Sequence, residues 1–237
     1  MGENFFAQTG ATSDGYDLTG AKSLPSIEEQ IKNHPEAMKN ADIVTLTAGG
    51  NDILFGKVVR ECVNVLGTEA GCIAQVQESS NLIKSGNQVT QAATQVDKNN
   101  LASELEKLYK TALEASPNAT IFVSGYPTIV RGDLGSDSML GISANRAKEL
   151  EKLGIELNDV IKATIDKVNA ESPTGPRLLY MDASNVFPKE NSLNSYNSAV
   201  NLLSISRTVG ELASYHPNAL GNRLWGAEVG KFIRGEK

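Results

Sequence analysis

The chain has 237 residues, of which 40% are hydrophobic and 21% are charged, with a formal net charge of −6 and a pI near 5.1. This length is enough for one domain with a sizeable core, and we expect a single domain over residues 1–237. The negative charge argues against nucleic acid or an anionic membrane as the main partner. No apolar run reaches the ~18 residues of a membrane-spanning helix, which argues against a transmembrane segment.

Predicted strands and helices alternate along the chain, which favours an α/β domain with a parallel sheet. The strands are short apolar runs near residues 4–8, 42–48, 119–124 and 177–182. The helices lie near residues 26–33, 52–61, 100–115 and 143–170, and a periodic run from Leu224 to Ile233 predicts a last helix. In the longest helix, apolar residues recur at three- and four-residue spacing and predict a face packed on the sheet. They are Leu150, Leu153, Leu157, Ile161, Ile165 and Val168.

Two polar stretches separate these elements. Residues 75–99 are rich in Gln, Asn, Ser and Thr, which favours a solvated connection; the alternative is a helix and an insertion that covers a site. Residues 184–206 predict a long loop at the rim of the sheet.

The strand at 42–48 ends in Gly49-Gly50-Asn51-Asp52, the most informative motif of the chain. The glycines allow a tight turn, and Asn51 offers an amide donor where a strand meets the rim of a sheet, a position that suits an oxyanion. Asp52 can cap the helix that follows. The alternative is an ordinary strand-to-helix turn in which Asn51 only tolerates left-handed geometry.

The two histidines stand in different contexts. His34 precedes a proline among polar residues, which favours a solvated helix end. His216 begins a His-Pro-Asn sequence, in which Pro217 and Asn218 predict the entrance of the last helix. A short, rigid turn of this kind suits a general base.

Together these segments resemble the SGNH hydrolases, also called GDSL esterases and lipases, and in particular their secreted bacterial branch. Residues 5–12 are similar to the second block of the family, in which a glycine N–H joins the oxyanion hole; that glycine is Gly10. The resemblance implies that Asn51 is the second oxyanion donor and that His216 is the catalytic base. It also implies a three-layer, doubly wound sheet of flavodoxin-like type.

The nucleophile of the family is missing from this sequence. A Gly-Asp-Ser block on the first strand should precede Gly10, but only nine residues do so, and no Gly-Asp-Ser occurs anywhere. We therefore expect the first strand to be absent and the domain to be N-terminally incomplete. Four other serines near the predicted sheet rim are weak candidates, and the nucleophile stays unknown. They are Ser13, Ser124, Ser136 and Ser138.

A smaller departure lies beside the histidine. The family often has an acid three residues before it, where this chain has Ala213, with Glu211 two residues earlier. Loss of a nucleophilic serine costs far more turnover than loss of the acid, so the missing serine is the larger defect.

Cys62 and Cys72 have a spacing that permits a local disulfide, with free buried thiols as the alternative, and they lack partners for a metal site. Secreted members of the resembling branch carry cysteines after this Gly-Gly-Asn-Asp block, which favours the bridge and an oxidising, extracellular location. The N-terminus shows no signal-peptide hydrophobic region. A chain that begins too late would explain the absence of leader, first strand and serine together.

The resemblance implies hydrolysis of carboxylic esters through an acyl-enzyme, without metal or organic cofactor. The substrate would be a small-molecule, lipid or carbohydrate ester. Without its nucleophile the chain should be almost inactive. The alternatives are a non-catalytic module that binds an acyl or carbonyl ligand and an inactive truncated fragment.

Overall fold

The computed structural model describes residues 4–8, 10–13, 25–63, 67–85, 87–91, 94–98, 100–133, 142–173, 175–193, 195–201 and 216–236. Its helices are α1 (Ile27–Lys32), α2 (Pro35–Lys39), α3 (Phe55–Val63), α4 (Glu69–Ser85), α5 (Leu101–Ala115), α6 (Ala144–Glu171) and α7 (Ala219–Ile233). Its strands are β1 (Ile43–Leu46), β2 (Asn87–Gln91), β3 (Thr94–Lys98), β4 (Thr120–Ser124) and β5 (Leu178–Met181). The predicted α/β class with a parallel sheet is confirmed.

The main sheet has the order β1-β4-β5. β1 and β4 pair in parallel, with Ile43 opposite Thr120 and Leu46 opposite Val123. Between β4 and β5 the hydrogen bonds advance in the same direction, as parallel strands require: Ile121 N–H donates to the Arg177 carbonyl, and Gly125 N–H donates to the Met181 carbonyl. β2 and β3 form a separate antiparallel hairpin.

By its contacts the chain divides into two compact units. The first comprises Met1–Ile53, Asn81–Ser124 and Asp159–Tyr180; the second comprises Leu54–Ser80, Gly125–Asn158 and Met181–Lys237. The first unit contains β1 and β4, and the second contains α3 and α7.

The apolar stripe of α6 is buried as predicted, since none of its six residues is more than 2% exposed. β4 is also buried from Ile121 onward, which agrees with a central strand. β1 is different: Ile43 is 49% exposed, and exposed and half-buried residues alternate along the strand. Within the described residues, β1 has a paired neighbour on one side only, namely β4.

Two expectations about local structure are wrong. Residues 4–8 are described and form no strand. Phe5 is 61% exposed, and the Phe6 ring stacks on the His34 ring at a centroid distance of 3.6 Å, so neither aromatic residue lies on a buried sheet face. The stretch 75–99 is not a plain solvated connection, because it contains the second half of α4 and the β2–β3 hairpin.

Candidate active site

The Gly49-Gly50-Asn51-Asp52 segment follows β1 as a turn that is buried except at Asn51, which is exposed. Ala48, Gly49 and Gly50 are buried, and Gly49 has a φ of 110°, which favours glycine over any residue with a side chain. This geometry supports the predicted role of the glycines in a tight turn. The helix expected from residue 52 begins later, at Phe55.

The turn at Gly10 lies against this segment. Gly10 has a φ of 81°, and Ala11 N–H donates to the Gln8 carbonyl at 3.4 Å. The Asn51 side-chain amide donates through Nδ2 to the Ala11 carbonyl at 2.9 Å. The structure therefore brings together the two residues that the sequence predicts as oxyanion donors.

A second contact joins the same two segments. Oδ1 of Asp52 accepts from the Ser13 N–H at 3.0 Å and from the Ser13 hydroxyl at 2.5 Å. Both residues are buried, Ser13 at 2% exposure and Asp52 at 9%. This pair is not predictable from sequence, because its members lie 39 positions apart and Asp52 is expected there only as a helix cap.

His216 lies in the second compact unit, at the entrance of α7. The side chain of Asn218 caps the helix, because its Oδ1 accepts from the N–H groups of Leu220 and Gly221. The His216 carbonyl accepts from Asn201 N–H at 2.8 Å, and an isolated bridge joins Val200 to Pro217. The predicted helix entrance is confirmed, and His216 itself is exposed. Glu211 and Ala213 lie outside the described residues.

Of the four candidate nucleophiles, the structure describes Ser13 and Ser124. Ser13 is buried and donates to Asp52, which disfavours attack on a substrate. Ser124 is 8% exposed and ends β4, so it lies at the same sheet edge as the turn after β1. Ser136 and Ser138 lie outside the described residues, although Asp133 just before them pairs with Lys189 at 2.8 Å. A hydrogen bond from Lys189 lowers the pKa of the Asp133 carboxyl.

The disulfide is confirmed: Cys62 of α3 is bonded to Cys72 of α4, with their Cα atoms 4.6 Å apart. In the part of the chain that the structure describes, no three His, Cys, Asp or Glu side chains are grouped as a metal site would need. Among the helices of that part, none is both long and apolar enough to cross a membrane.

One further contact holds the segment after β4, and sequence reasoning missed it. The Asn158 side chain of α6 accepts from Tyr126 N–H at 2.7 Å and donates to the Tyr126 carbonyl at 2.8 Å. A lone asparagine in an amphipathic helix gives no sequence signal for such a contact.

Comparison with known proteins supports the resemblance. No family model matches the chain. Lipase 1 of Streptomyces coelicolor is 25% identical over 217 residues, which are 91% of this chain and 68% of that protein. A phospholipase A1 from Streptomyces albidoflavus has a similar structure, with a TM-score of 0.64, 22% identity, and coverage of 86% of this chain and 77% of that chain.

The structure of an extracellular lipase from Streptomyces rimosus is also similar, with a TM-score of 0.63, 19% identity, and coverage of 94% of both chains. At these identities the two structures establish the shared fold. The chain is thus similar to Streptomyces lipases in sequence and in fold, which is consistent with the family inferred from the motifs.

Proposed function

We propose that this chain has the active site of a carboxylic ester hydrolase. The chain is similar to Streptomyces lipases, and its motifs are consistent with the SGNH hydrolase family. In this proposal Gly10 and Asn51 stabilise the oxyanion, and His216 is the general base. The observation that carries it is the hydrogen bond from the Asn51 amide to the carbonyl of Ala11, the residue that follows Gly10. Ester hydrolysis through an acyl-enzyme needs such donors where negative charge develops.

Each residue has a separate task in the proposed reaction. His216 takes the proton of a serine hydroxyl as that oxygen attacks the ester carbonyl, and it later gives the proton to the leaving alcohol. The Gly10 N–H and the Asn51 amide stabilise the oxygen that becomes negative in the tetrahedral intermediate. Water then hydrolyses the acyl-enzyme by the same route. The serine itself is unassigned, since no Gly-Asp-Ser occurs in the chain.

The names of the relatives favour a lipid ester as substrate, since they are called lipases and a phospholipase A1. Secretion belongs to the same proposal. It is supported by the disulfide, which persists in oxidising compartments, and by the extracellular lipase among the matched structures.

The missing nucleophile also favours a second function. An oxyanion site without a serine could bind an acyl or carbonyl ligand without turnover. On either reading, residues 1–237 alone should hydrolyse p-nitrophenyl butyrate barely above a buffer control, and a fluorophosphonate probe should not label them. Stoichiometric labelling would contradict this expectation, and mapping the labelled peptide would identify the serine.

The enzyme reading is tested by adding a first strand with Gly-Asp-Ser ahead of Met1 and measuring ester hydrolysis. We expect activity to appear, and Asn51→Ala should then lower kcat by roughly 10² to 10³ with little change in KM, because the donor acts on the oxyanion rather than the ground-state carbonyl. His216→Ala should cost more. The control is Asn40→Ala, since this exposed amide donates to the nearby Glu36 carbonyl in α2. An extended chain that stays inactive favours the binding module.

A further inference from the structure

The buried carboxylate of Asp52 lies directly beside the proposed oxyanion donor Asn51. A carboxylate in a buried position is costly unless hydrogen bonds compensate for the lost water. Here Oδ1 accepts two of them, both from Ser13. Hydrogen bonds to an ionised acceptor are stronger than those between neutral groups, and exclusion from water strengthens them further.

This contact and the Asn51 contact act at neighbouring positions. Asn51 binds the Ala11 carbonyl, and Asp52 binds the backbone and side chain of Ser13. One hydrogen bond alone would let the turn at Gly10 pivot about it. Here the turn is bonded at two positions, Ala11 and Ser13, to two successive residues of the other segment. These two contacts oppose that rotation.

A fourth hydrogen bond holds the same turn from another side. The Thr12 carbonyl accepts from Ile27 N–H, at the start of α1, at 3.0 Å. Residues 11–13 are therefore held on both sides and are buried, whereas Gly10 is exposed at the end of the held segment. An exposed glycine next to a fixed turn suits a preorganised oxyanion donor.

We propose that Asp52 is a positioning residue, whose carboxylate fixes the turn of residues 10–13 against Asn51 so that the Gly10 N–H and the second Asn51 amide hydrogen address the same point. This inference rests on the proposed function, because it assigns a purpose to the geometry of those donors. Asp52 is not a catalytic residue on this view, since its carboxylate is buried and accepts hydrogen bonds from Ser13. Ser13 in turn is a structural partner rather than the nucleophile.

The test compares Asp52→Ala, Asp52→Asn and Ser13→Ala by two-dimensional ¹H–¹⁵N NMR of the full chain. Asp52→Ala should shift or broaden the backbone resonance of Gly10 and the side-chain amide pair of Asn51. It should also raise the hydrogen-exchange rate of the Ser13 amide by at least tenfold. Asp52→Asn should restore all three, because its amide oxygen can accept the same bonds. Ser13→Ala should lie between the two, since it removes the hydroxyl bond to Asp52 and keeps the backbone bond.

Asn169→Ala is the matched control. Asn169 makes a similar pair of bonds, to Leu178 N–H and to the Leu178 carbonyl, in the same compact unit but at the amino end of β5. Its loss should reduce stability and leave the Gly10 and Asn51 resonances in place. The proposal fails if Asp52→Ala leaves these resonances unchanged, or if Asn169→Ala moves them equally. If Asp52→Ala does not fold, Ser13→Ala is compared with Asn169→Ala instead. The proposal then fails if Ser13→Ala leaves the Gly10 and Asn51 resonances unchanged, or if Asn169→Ala moves them equally.

Turnover distinguishes this inference from the proposed function. In the chain extended by a Gly-Asp-Ser strand, Asp52→Ala should lower kcat at least tenfold with KM nearly unchanged, and Asp52→Asn should recover most of it. Resonances that respond as expected in a chain without any esterase activity would refute the function and keep the positioning role. Full activity in Asp52→Ala would refute the positioning role alone.

Discussion

Gly221 in the first turn of α7 lies where no side chain can fit. A Cβ atom at this position would be 2.1 Å from the Ala199 carbonyl oxygen and 2.9 Å from the Pro217 Cβ. The same backbone region is bonded to the helix entrance, because Asn218 N–H donates to the Ala199 carbonyl at 2.9 Å. The absence of a side chain at Gly221 thus allows α7 to approach closely and fixes the turn that carries His216.

Gly221→Ala should therefore destabilise the protein by about 1 to 3 kcal/mol, the usual cost of overpacking. Gly226→Ala, in the same helix, is the control, since a Cβ there would meet nothing within 4 Å. That change should be neutral or should stabilise by up to about 1 kcal/mol, because alanine favours a helix over glycine. Urea denaturation of both variants measures the difference, and equal effects would show that packing at Gly221 is unimportant.

Single residues were predictable where the signal was local. The cap at Asn218 followed from its place before a periodic run, and the turn at Gly49 followed from two glycines after a strand. The pair of Asp52 and Ser13 could not be predicted, since its members are remote in sequence and a carboxylate after a strand also suits a helix cap.

At the scale of elements, Glu28 links α1 to α5. Its side chain is 11% exposed, and it binds Lys107 of α5 at 2.8 Å as well as Lys32 of α1. Burial on its own would raise the pKa of Glu28, but the hydrogen bonds from Lys107 and Lys32 outweigh burial, and the pKa is lowered from its usual value of 4.5. A lowered carboxyl pKa stabilises the folded state above the unfolded-state pKa, and this contribution is lost as the pH falls through the folded-state value.

Glu28→Gln should lower the unfolding free energy at pH 7 by about 1 kcal/mol, because the two lysines lose a charged acceptor. The difference from the parent protein should shrink as the pH falls below 4.5 and the parent carboxyl is protonated. Denaturation curves between pH 7 and pH 3 measure this. Glu36→Gln, at an exposed position of α2, is the control and should have little effect at any pH. A difference that does not depend on pH would contradict the ion-pair origin.

The disulfide joins two helices of the second unit over a separation of 10 residues, and both cysteines are fully buried. Replacing both by alanine should lower the unfolding free energy by roughly 2 to 3 kcal/mol, since a closed loop restricts the unfolded chain. Counting thiols in denatured protein should give none before reduction and two after it. Reactive thiols in material made under oxidising conditions would contradict the bridge, and with it part of the support for secretion.

Elements were predictable where the apolar pattern was strong. The strands β1, β4 and β5 and the helices α5 and α6 lie within two residues of their predicted bounds. α4 was missed in large part because its sequence is mostly polar, although Val76, Leu82 and Ile83 are buried. The segment 4–8 was mistaken for a strand because two adjacent phenylalanines resemble a buried run, whereas one of them is exposed and the other stacks on His34.

At the scale of the molecule, we expect β1 to favour self-association, because within the described residues it pairs only with β4 and its Ile43 is 49% exposed. Unpaired backbone groups and apolar side chains on an edge strand favour pairing between chains. Ile43→Lys should therefore reduce concentration-dependent association, measured by light scattering. Ile155→Lys is the matched control, because Ile155 is 52% exposed but lies on a helix, whose backbone groups are bonded internally. If both variants behave alike, surface hydrophobicity rather than the strand edge causes the association.

The position of β1 beside β4 also has a kinetic consequence. Three helices and the β2–β3 hairpin separate the two strands in the sequence, so their pairing is a contact between remote residues. Contacts between remote residues slow folding, because the entropy of closing the loop is lost before the contact forms. We therefore expect slow refolding from denaturant. The yield should fall as the protein concentration rises, because β1 can associate with another chain before it pairs with β4.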